Sequence, residues 1–187
     1  MTYFNIVSES EESTVVAEYQ PQTVRSEAYQ SEAELEKEFV HLLQGQGYES
    51  ITLRGEQELI ANLRARLEEL NQYVFSDTEW EQFFSACIVG KNEGIEEKTQ
   101  KIQNDHVQIL HCDNGSTKNI HLIDKTHIHN NKLQVINQYS EKGGTHETRY
   151  DVTILVNGLP LVHIELKRRG VKLREAFNQI ERYQRDS

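Results

Sequence analysis

The chain has 187 residues, of which 36% are hydrophobic and 27% charged. At about 150 residues per domain, this length predicts one domain or one domain with an arm. The composition excludes a disordered chain and a membrane protein, and no stretch reaches the roughly 20 apolar residues of a spanning helix. The N-terminus shows no secretion signal, and Cys87 and Cys112 are isolated. We therefore expect a cytoplasmic protein with free thiols and no membrane partner.

The formal net charge is −10, which argues against a general nucleic-acid binder. The charge is unevenly distributed, because residues 160–187 carry seven Lys or Arg against four Asp or Glu. A basic segment on an acidic body indicates either a local phosphate-facing surface or an ordinary solvated helix face. Charge alone does not separate these two interpretations.

The first half of the chain predicts an arm followed by helices. Residues 1–30 read as the arm, with one short strand near residues 15–19. Ser31 and Glu34 fit a capping box, and the helix that they begin should end near Gly45 and Gly47. A second helix is predicted over residues 56–71, a third with Asp77 as its N-cap, and a polar connection over residues 90–104.

The second half changes to the two-residue period of β-strands. The predicted strands are residues 107–110, 120–123, 133–136, 152–156 and 161–166. Turn signals stand at residues 113–116 and at Asn157-Gly158, a loop is predicted over residues 142–145, and a last helix over residues 171–183. Helices followed by a meander of strands and a further helix predict an α/β or mixed α+β domain with one central sheet.

One predicted strand carries an acid and a base in a pattern that indicates metal-dependent nuclease chemistry. Side chains alternate along a strand, so Glu165 and Lys167 should share one face with Leu161 and His163. The other face, which we expect to be buried, is apolar and consists of Val162, Ile164 and Leu166. Glu-x-Lys on one face is one half of the nuclease pattern, although an ordinary solvated sheet face gives the same residues.

Asp151 is the candidate for the other half, and its position depends on the hairpin register. A two-residue turn at Asn157-Gly158 pairs Asp151 with Ile164, on the wrong face. A three-residue loop pairs Asp151 with Glu165 and matches apolar residues across the two strands. Because a slip of one residue inverts every face, the pattern favours the longer loop or a bulge.

Two adjacent carboxylates repel each other, and burying them is costly unless a cation lies between them. Mg²⁺ prefers oxygen ligands and retains bound waters, one of which can act as a nucleophile. Lys167 would then stabilise the charge that develops on a phosphate. The residue types at Asp151, Glu165 and Lys167 thus favour Mg²⁺-dependent phosphodiester hydrolysis.

The last predicted helix places Gln179 and Tyr183 on one face, four residues apart, with Arg182 and Glu175 at its border. Their neutral hydrogen-bonding groups suit a phosphate or a base edge beside the metal site. The alternative is that Tyr183 packs against the sheet and Gln179 lies on the surface.

Asp151, Glu165-Leu166-Lys167 and Gln179-Ile180-Glu181-Arg182-Tyr183 match the PD-(D/E)xK nuclease motifs with the Q-x-x-x-Y extension, in order and spacing. This set resembles the N-terminal nuclease domain of the R (HsdR) subunit of type I restriction-modification enzymes, and most closely their IC subgroup. Further similar stretches are residues 29–36, 150–162 and 174–180. The resemblance covers most of the chain and is most specific near its C-terminal end.

The resemblance implies a restriction-endonuclease-like fold, in which a central mixed sheet is flanked by helices, and Mg²⁺-dependent cleavage of double-stranded DNA after ATP-driven translocation. It assigns Asp151 and Glu165 to the metal and Lys167 to the completion of the catalytic site. Gln179 and Tyr183 belong to the extended motif, and Arg182 beside them is a candidate DNA contact. An additional acid on the first helix is common in related nucleases, and Glu32 and Glu36 are the candidates. An ordinary charged helix surface is the alternative for both.

The family's R subunit continues into a motor that binds ATP, whereas this sequence contains no G-x-x-x-x-G-K-[ST] motif. We therefore expect a fragment with an arm over residues 1–30 and a nuclease domain over residues 31–187. The modification (M) and specificity (S) subunits would be partners through the longer subunit. Two alternatives remain: a catalytically silent module that docks the motor to its partner subunits, and a related DNA repair or recombination nuclease.

Overall fold

The structure is a computed structural model that describes residues 5–9, 14–17, 31–90, 94–141 and 148–167. The predicted loop at residues 142–145, the predicted helix at residues 171–183 and its residues Gln179, Arg182 and Tyr183 lie outside these ranges. Within the described ranges, no helix has both the length and the apolar character needed to cross a membrane.

Five helical segments and eight strands make up the described part of the chain, together with one short 3₁₀ turn at Ile128–Asn130. The helices are α1 (Glu32–Gly45), α2 (Glu56–Asn71), α3 (Asp77–Phe83), which continues into a π-helical turn (Phe84–Ile88), and α4 (Ile95–Asn104). The strands are β1 (Asn5–Glu9), β2 (Thr14–Ala17), β3 (Glu49–Ser50), β4 (Val107–His111), β5 (Thr117–His121), β6 (Leu133–Glu141), β7 (Thr148–Val156) and β8 (Leu159–Ile164).

The central sheet has four strands in the order β3-β6-β7-β8. β3 runs parallel to β6, whereas β6, β7 and β8 are antiparallel neighbours. Two separate hairpins, β1-β2 and β4-β5, complete the described strands. The prediction of a mixed α+β domain with a central mixed sheet and flanking helices is confirmed.

Apolar residues cover the central sheet on both sides. Leu43 and Phe39 of α1 pack against Val135 of β6 and Val152 of β7. Ile136 and Leu155 form another cluster, with Ile51, Leu53, Leu59 and Tyr150 packed against them. The largest cluster lies between α2, α3 and the β4-β5 hairpin, and includes Leu67, Phe75, Trp80, Phe83 and Ile120. α1 and the sheet are therefore held together by burial of apolar surface, which fixes where the start of α1 lies.

The capping box at the start of α1 is confirmed, because Ser31 Oγ accepts from the Glu34 N–H and the Glu34 carboxylate accepts from the Ser31 N–H. The predicted N-cap of α3 is wrong by one residue. Ser76 is the N-cap, and it forms a second capping box with Glu79. Asp77 already lies in the first turn, where it forms an ion pair with Arg64 at 2.9 Å.

The polar connection predicted over residues 90–104 is also wrong, because Ile95–Asn104 form α4. The Glu97 carboxylate accepts from the Gly94 N–H at 2.8 Å, and Lys101 Nζ donates to the Cys87 carbonyl at 2.7 Å. Ile102 packs against the largest apolar cluster. The helix has only two apolar residues, Ile95 and Ile102, which are too few to reveal a helical stripe in the sequence. In the arm, the strand near residues 15–19 has a partner, β1, that the sequence did not predict.

A tight turn joins β7 to β8 and determines how these two strands are aligned. Asn157 and Gly158 have φ values of +51° and +82°, as a type I′ turn requires. The Asn157 side chain is buried, accepts from the Lys132 N–H at 2.8 Å and donates to the Leu122 carbonyl at 3.0 Å. Gly158 lies so close to α2 that an added Cβ would be 2.6 Å from the Leu63 Cα.

We predict that Gly158→Ala destabilises the chain more than Gly115→Ala does. Both glycines have a left-handed φ, near +82° and +81°, so each alanine should cost about 1–2 kcal/mol of conformational energy. Only Gly158 adds a backbone clash, since an added Cβ at Gly115 meets no atom within 4 Å. Urea unfolding of the two variants measures the difference, and equal losses of stability would contradict the close packing of the turn on α2.

Candidate active site

The β7-β8 hairpin keeps a two-residue turn and corrects its register with a bulge. Val156 pairs with Leu159 beside the turn, but Val152 pairs with Ile164 further along, because the register shifts by one residue at Leu161. Because the strands are antiparallel, the pairing of Val152 with Ile164 places the preceding residue, Asp151, opposite the following residue, Glu165. Of the two ways predicted to bring these residues together, the structure uses the bulge rather than a three-residue loop.

The predicted burial of the Glu-x-Lys strand is only partly correct. Ile164 and Leu166 pack against the apolar cluster that α1 forms with β6 and β7, as expected for the apolar face. Val162 is 45% exposed, so its predicted burial is wrong. The bulge interrupts the alternation of faces beside Val162, and β8 has a single neighbouring strand, β7, within the described sheet.

The Asp151 side chain is anchored to the segment that carries the other two candidate residues. β8 ends at Ile164, and the Leu166 N–H that follows donates to Asp151 Oδ2 at 2.8 Å. Leu166 stands between Glu165 and Lys167 in the chain. This hydrogen bond therefore holds the Asp151 carboxylate beside both of them.

Lys167 and Glu165 form an ion pair that involves only one of the two carboxylate oxygens of Glu165. Lys167 Nζ lies 2.5 Å from Glu165 Oε1, and the two side chains are 19% and 4% exposed. Glu165 Oε2 is buried and has no hydrogen-bond partner among the described residues. A buried carboxylate oxygen without a donor is unfavourable unless another group compensates its charge.

The electrostatics of the three residues reflect this incomplete compensation. Burial raises the pKa of Glu165, the hydrogen bond from Lys167 opposes that effect, and the nearby Asp151 carboxylate raises the pKa further. Burial alone would lower the pKa of Lys167, but the hydrogen bond and charge of Glu165, with the charges of Glu32 and Asp151, raise it overall. Lys167 is therefore held as a cation among acidic groups.

The two candidate additional acids on α1 lie in different surroundings. Glu32 is exposed, and its charge acts on Lys167, so the first turn of α1 faces the Glu-x-Lys segment. Glu36 is only 7% exposed, and its carboxylate accepts from Asn137 Nδ2 at 3.0 Å and from Gln138 Nε2. Sequence reasoning did not single out Asn137 or Gln138, because a polar pair in a strand resembles any solvated position.

His163 lies two residues before Glu165 and packs on the sheet. Its ring stacks on Tyr150, with centroids 3.9 Å apart, and its Nδ1 is 2.9 Å from Thr153 Oγ1. Packing on Tyr150 partly desolvates the ring of His163, which lowers its pKa and favours the neutral form, although the residue as a whole is exposed. These contacts agree with the interpretation that His163 fills the sheet surface.

The residues at this position suit a hard divalent cation. Asp151 and Glu165 offer carboxylate oxygens, which Mg²⁺ prefers, and the single charge of Lys167 is set against two carboxylates. The buried oxygen without a donor, Glu165 Oε2, is the observation that fits a missing positive charge. The donor types of Asp151 and Glu165, with the ammonium group of Lys167 beside Glu165, thus fit a cation that is bound by carboxylates.

We predict that Asp151→Asn lowers the pKa of Glu165 and that Lys167→Met raises it. Asp151 contributes a negative charge that disfavours ionisation of Glu165, whereas Lys167 stabilises the ionised form. NMR titration of the Glu165 carboxyl carbon in metal-free buffer measures both shifts. Asp77→Asn, on the exposed face of α3, is the control and should leave this pKa unchanged. Shifts of the same sign in the two site variants would contradict the arrangement.

Comparison with known proteins identifies the family. The family model of the type I restriction enzyme R protein N terminus matches residues 29–187. The chain is 46% identical over 182 residues to the EcoprrI type I restriction enzyme endonuclease subunit of Escherichia coli, with 97% of this chain and 58% of that protein covered. It is 43% identical over 164 residues to the SsaAORF53P subunit of Staphylococcus saprophyticus, with 85% of this chain and 17% of that protein covered.

A shorter match, to the HindI subunit of Haemophilus influenzae, is 40% identical over 91 residues. The chain thus spans between 8% and 58% of the length of these curated relatives. Because the family model covers most of the sequence, the chain belongs to the family of type I restriction enzyme R proteins, of which it represents the N-terminal region.

Proposed function

We propose that this chain carries the nuclease site of a type I restriction enzyme R subunit and hydrolyses phosphodiester bonds of double-stranded DNA with Mg²⁺. The observation that supports this most directly is the Asp151–Glu165–Lys167 cluster, with its buried carboxylate oxygen that has no donor among the described residues. The printed names of the relatives describe those proteins as endonuclease subunits, which agrees with the chemistry of the cluster.

Asp151 and Glu165 would hold the Mg²⁺ ion. When bound, such an ion supplies Lewis acidity and lowers the pKa of a coordinated water. The chain's own groups arrange the site. The Leu166 N–H fixes Asp151, and Lys167 donates to Glu165 Oε1, so that Oε2 is the oxygen left for the cation. The Lys167 ammonium would also stabilise the negative charge that develops on a phosphate.

Residues outside this cluster and further subunits complete the proposed function. We propose that Gln179 and Tyr183 orient DNA beside the site and that Arg182 contacts it, since amide, phenol and guanidinium groups are common phosphate contacts. Glu32, whose charge reaches Lys167, is the candidate for an additional acid. In the longer subunit, cleavage would follow ATP-driven translocation in a cytoplasmic complex with M and S subunits.

We predict that Asp151→Ala, Glu165→Ala and Lys167→Ala each abolish DNA cleavage by the assembled restriction complex. Each removes a group on which the chemical step depends, so the cleavage rate should fall by at least about 100-fold. ATP-driven translocation should continue, because the motor lies outside this chain. Cleavage of plasmid DNA and a translocation assay, run on the same preparations, separate the two activities.

Lys98→Ala is the matched control, because Lys98 lies exposed on α4 and carries the same charge as Lys167. It should cleave at the wild-type rate. Normal cleavage by any one of the three site variants would remove the role proposed for that residue. A requirement for a free DNA end rather than for translocation would instead favour the repair or recombination class of nuclease.

We further predict that the chain binds Mn²⁺ or Mg²⁺, that Asp151→Ala abolishes this binding and that Lys167→Met retains it. Loss of a carboxylate removes a ligand, whereas loss of the ammonium removes only a competing positive charge. Calorimetric titration of the three proteins measures the affinities without any need for DNA. Absence of metal binding by the wild-type chain would instead favour the silent docking module.

A further inference from the structure

Glu36 joins α1 to β6 at the level of the candidate site. Its side chain crosses from the helix to the sheet, where its carboxylate accepts from Asn137 Nδ2 at 3.0 Å and from Gln138 Nε2. Glu36 Oε1 takes the first hydrogen bond and Oε2 takes the second, so both oxygens are used. The contact is buried, because Glu36 is 7% exposed.

Gln138 has an unusual backbone conformation for a residue inside a strand. Its φ is +57°, in the left-handed region, which a residue with a side chain adopts only at a cost in conformational energy. Such strained residues persist where surrounding contacts hold them, and they cluster at functional sites. Hydrogen bonding of the Gln138 amide to the buried Glu36 carboxylate is the contact that can hold it.

The strained residue lies directly across the sheet from Asp151. Asn137 pairs with Val152 and Tyr139 pairs with Tyr150, and this register places Gln138 opposite Asp151. The conformation at Gln138 therefore determines the local course of the β6-β7 ladder at the point where Asp151 enters the site. A shift of this ladder would move Asp151 relative to the Leu166 N–H, to which it is bound.

We propose that Glu36 is a positioning residue rather than a metal ligand: it holds Gln138 in the left-handed conformation and thereby fixes Asp151 beside Glu165 and Lys167. The role rests on the proposed nuclease function. It explains why Glu36 is buried and bonded through both oxygens, whereas a ligand needs an oxygen directed at the cation. Glu36 acts on Asp151 indirectly, through β6, which is the neighbour of β7 on the side away from β8.

The test compares Glu36→Gln, Glu36→Ala and the double variant Glu36→Ala/Gln138→Gly in the assembled complex. Glutamine keeps the shape of Glu36 but offers one oxygen and one N–H group. It can stay bonded to both partners when the side-chain amide of Asn137 or Gln138 turns to present its oxygen, so cleavage should stay within about 3-fold of wild type. Alanine releases Gln138, and the resulting displacement of Asp151 should slow cleavage by about 10- to 100-fold. Glycine adopts a positive φ without a partner, so Gln138→Gly should restore most of the rate that Glu36→Ala loses.

A second readout does not depend on activity. The Leu166 amide should exchange with solvent faster in Glu36→Ala than in wild type, because its acceptor is Asp151 Oδ2, and Gln138→Gly should slow this exchange again. Glu96→Ala removes an exposed carboxylate from α4 and is the control for both readouts. It should change neither.

The outcomes separate the roles. If Glu36→Gln is as inactive as Glu36→Ala and binds Mn²⁺ more weakly, and if Gln138→Gly does not rescue Glu36→Ala, Glu36 is a ligand and the positioning role is overturned. Unchanged Leu166 exchange in Glu36→Ala would overturn it as well. If the wild-type complex fails to cleave, the nuclease proposal fails, while the exchange measurement still decides whether Glu36 positions Asp151.

Discussion

The alignment of β7 with β8 is the constraint on which the rest of the site depends. Side chains alternate along a strand, so a slip of one residue would place Asp151 across from Ile164 and leave Glu165 without a neighbouring carboxylate. Two local features set the alignment: the turn at Asn157-Gly158, which is packed against α2, and the extra residue at Leu161. The turn begins the hairpin in one register, and the bulge converts it to the register that brings the acids together.

Once the acids are together, their charges are only partly balanced. Lys167 pairs with one oxygen of Glu165, the backbone of Leu166 binds Asp151, and one buried oxygen of Glu165 is left without a donor in the described region. Burial of like charges is unfavourable in a folded chain, and such imbalance is typical of sites that bind or react. The fold can maintain it because apolar packing of α1 and the sheet supplies the stability that the site does not.

Family membership identifies the type of protein, whereas the geometry of the site indicates its chemistry. The family match rests on most of the chain and identifies the type of protein to which it belongs. The curated relatives are longer, so their complete activities depend on parts that this chain does not share with them. The geometry bears on chemistry, because it shows which of the motif residues meet and how each is compensated. The contacts of Asn137 and Gln138 with Glu36 are visible only in the geometry.

Much of the secondary structure followed from local sequence. Capping at Ser31, the apolar stripe of α2 and the Asn-Gly turn are decided by neighbouring residues, and these predictions are confirmed. α4 was missed because it has only two apolar residues, Ile95 and Ile102, which are too few to reveal a helical stripe. The N-cap of α3 was misplaced by one residue because Ser76 and Asp77 are both good capping residues. Glu79 decides between them, because its carboxylate accepts from the Ser76 N–H and is held in place by the Asp113 N–H.

By itself, the sequence determined the residue types of the candidate site, the hairpin that carries them and the family likeness, since these depend on short spacings. Tertiary structure alone decided that a bulge rather than a longer loop aligns Asp151 with Glu165, and that Val162 is exposed. It also decided that Glu36 bonds to β6, while Glu32 acts on Lys167. The contact between Glu36 and Asn137 joins residues 101 positions apart, and the β7-β8 turn is packed on Leu63 of α2, so no local pattern encodes these contacts.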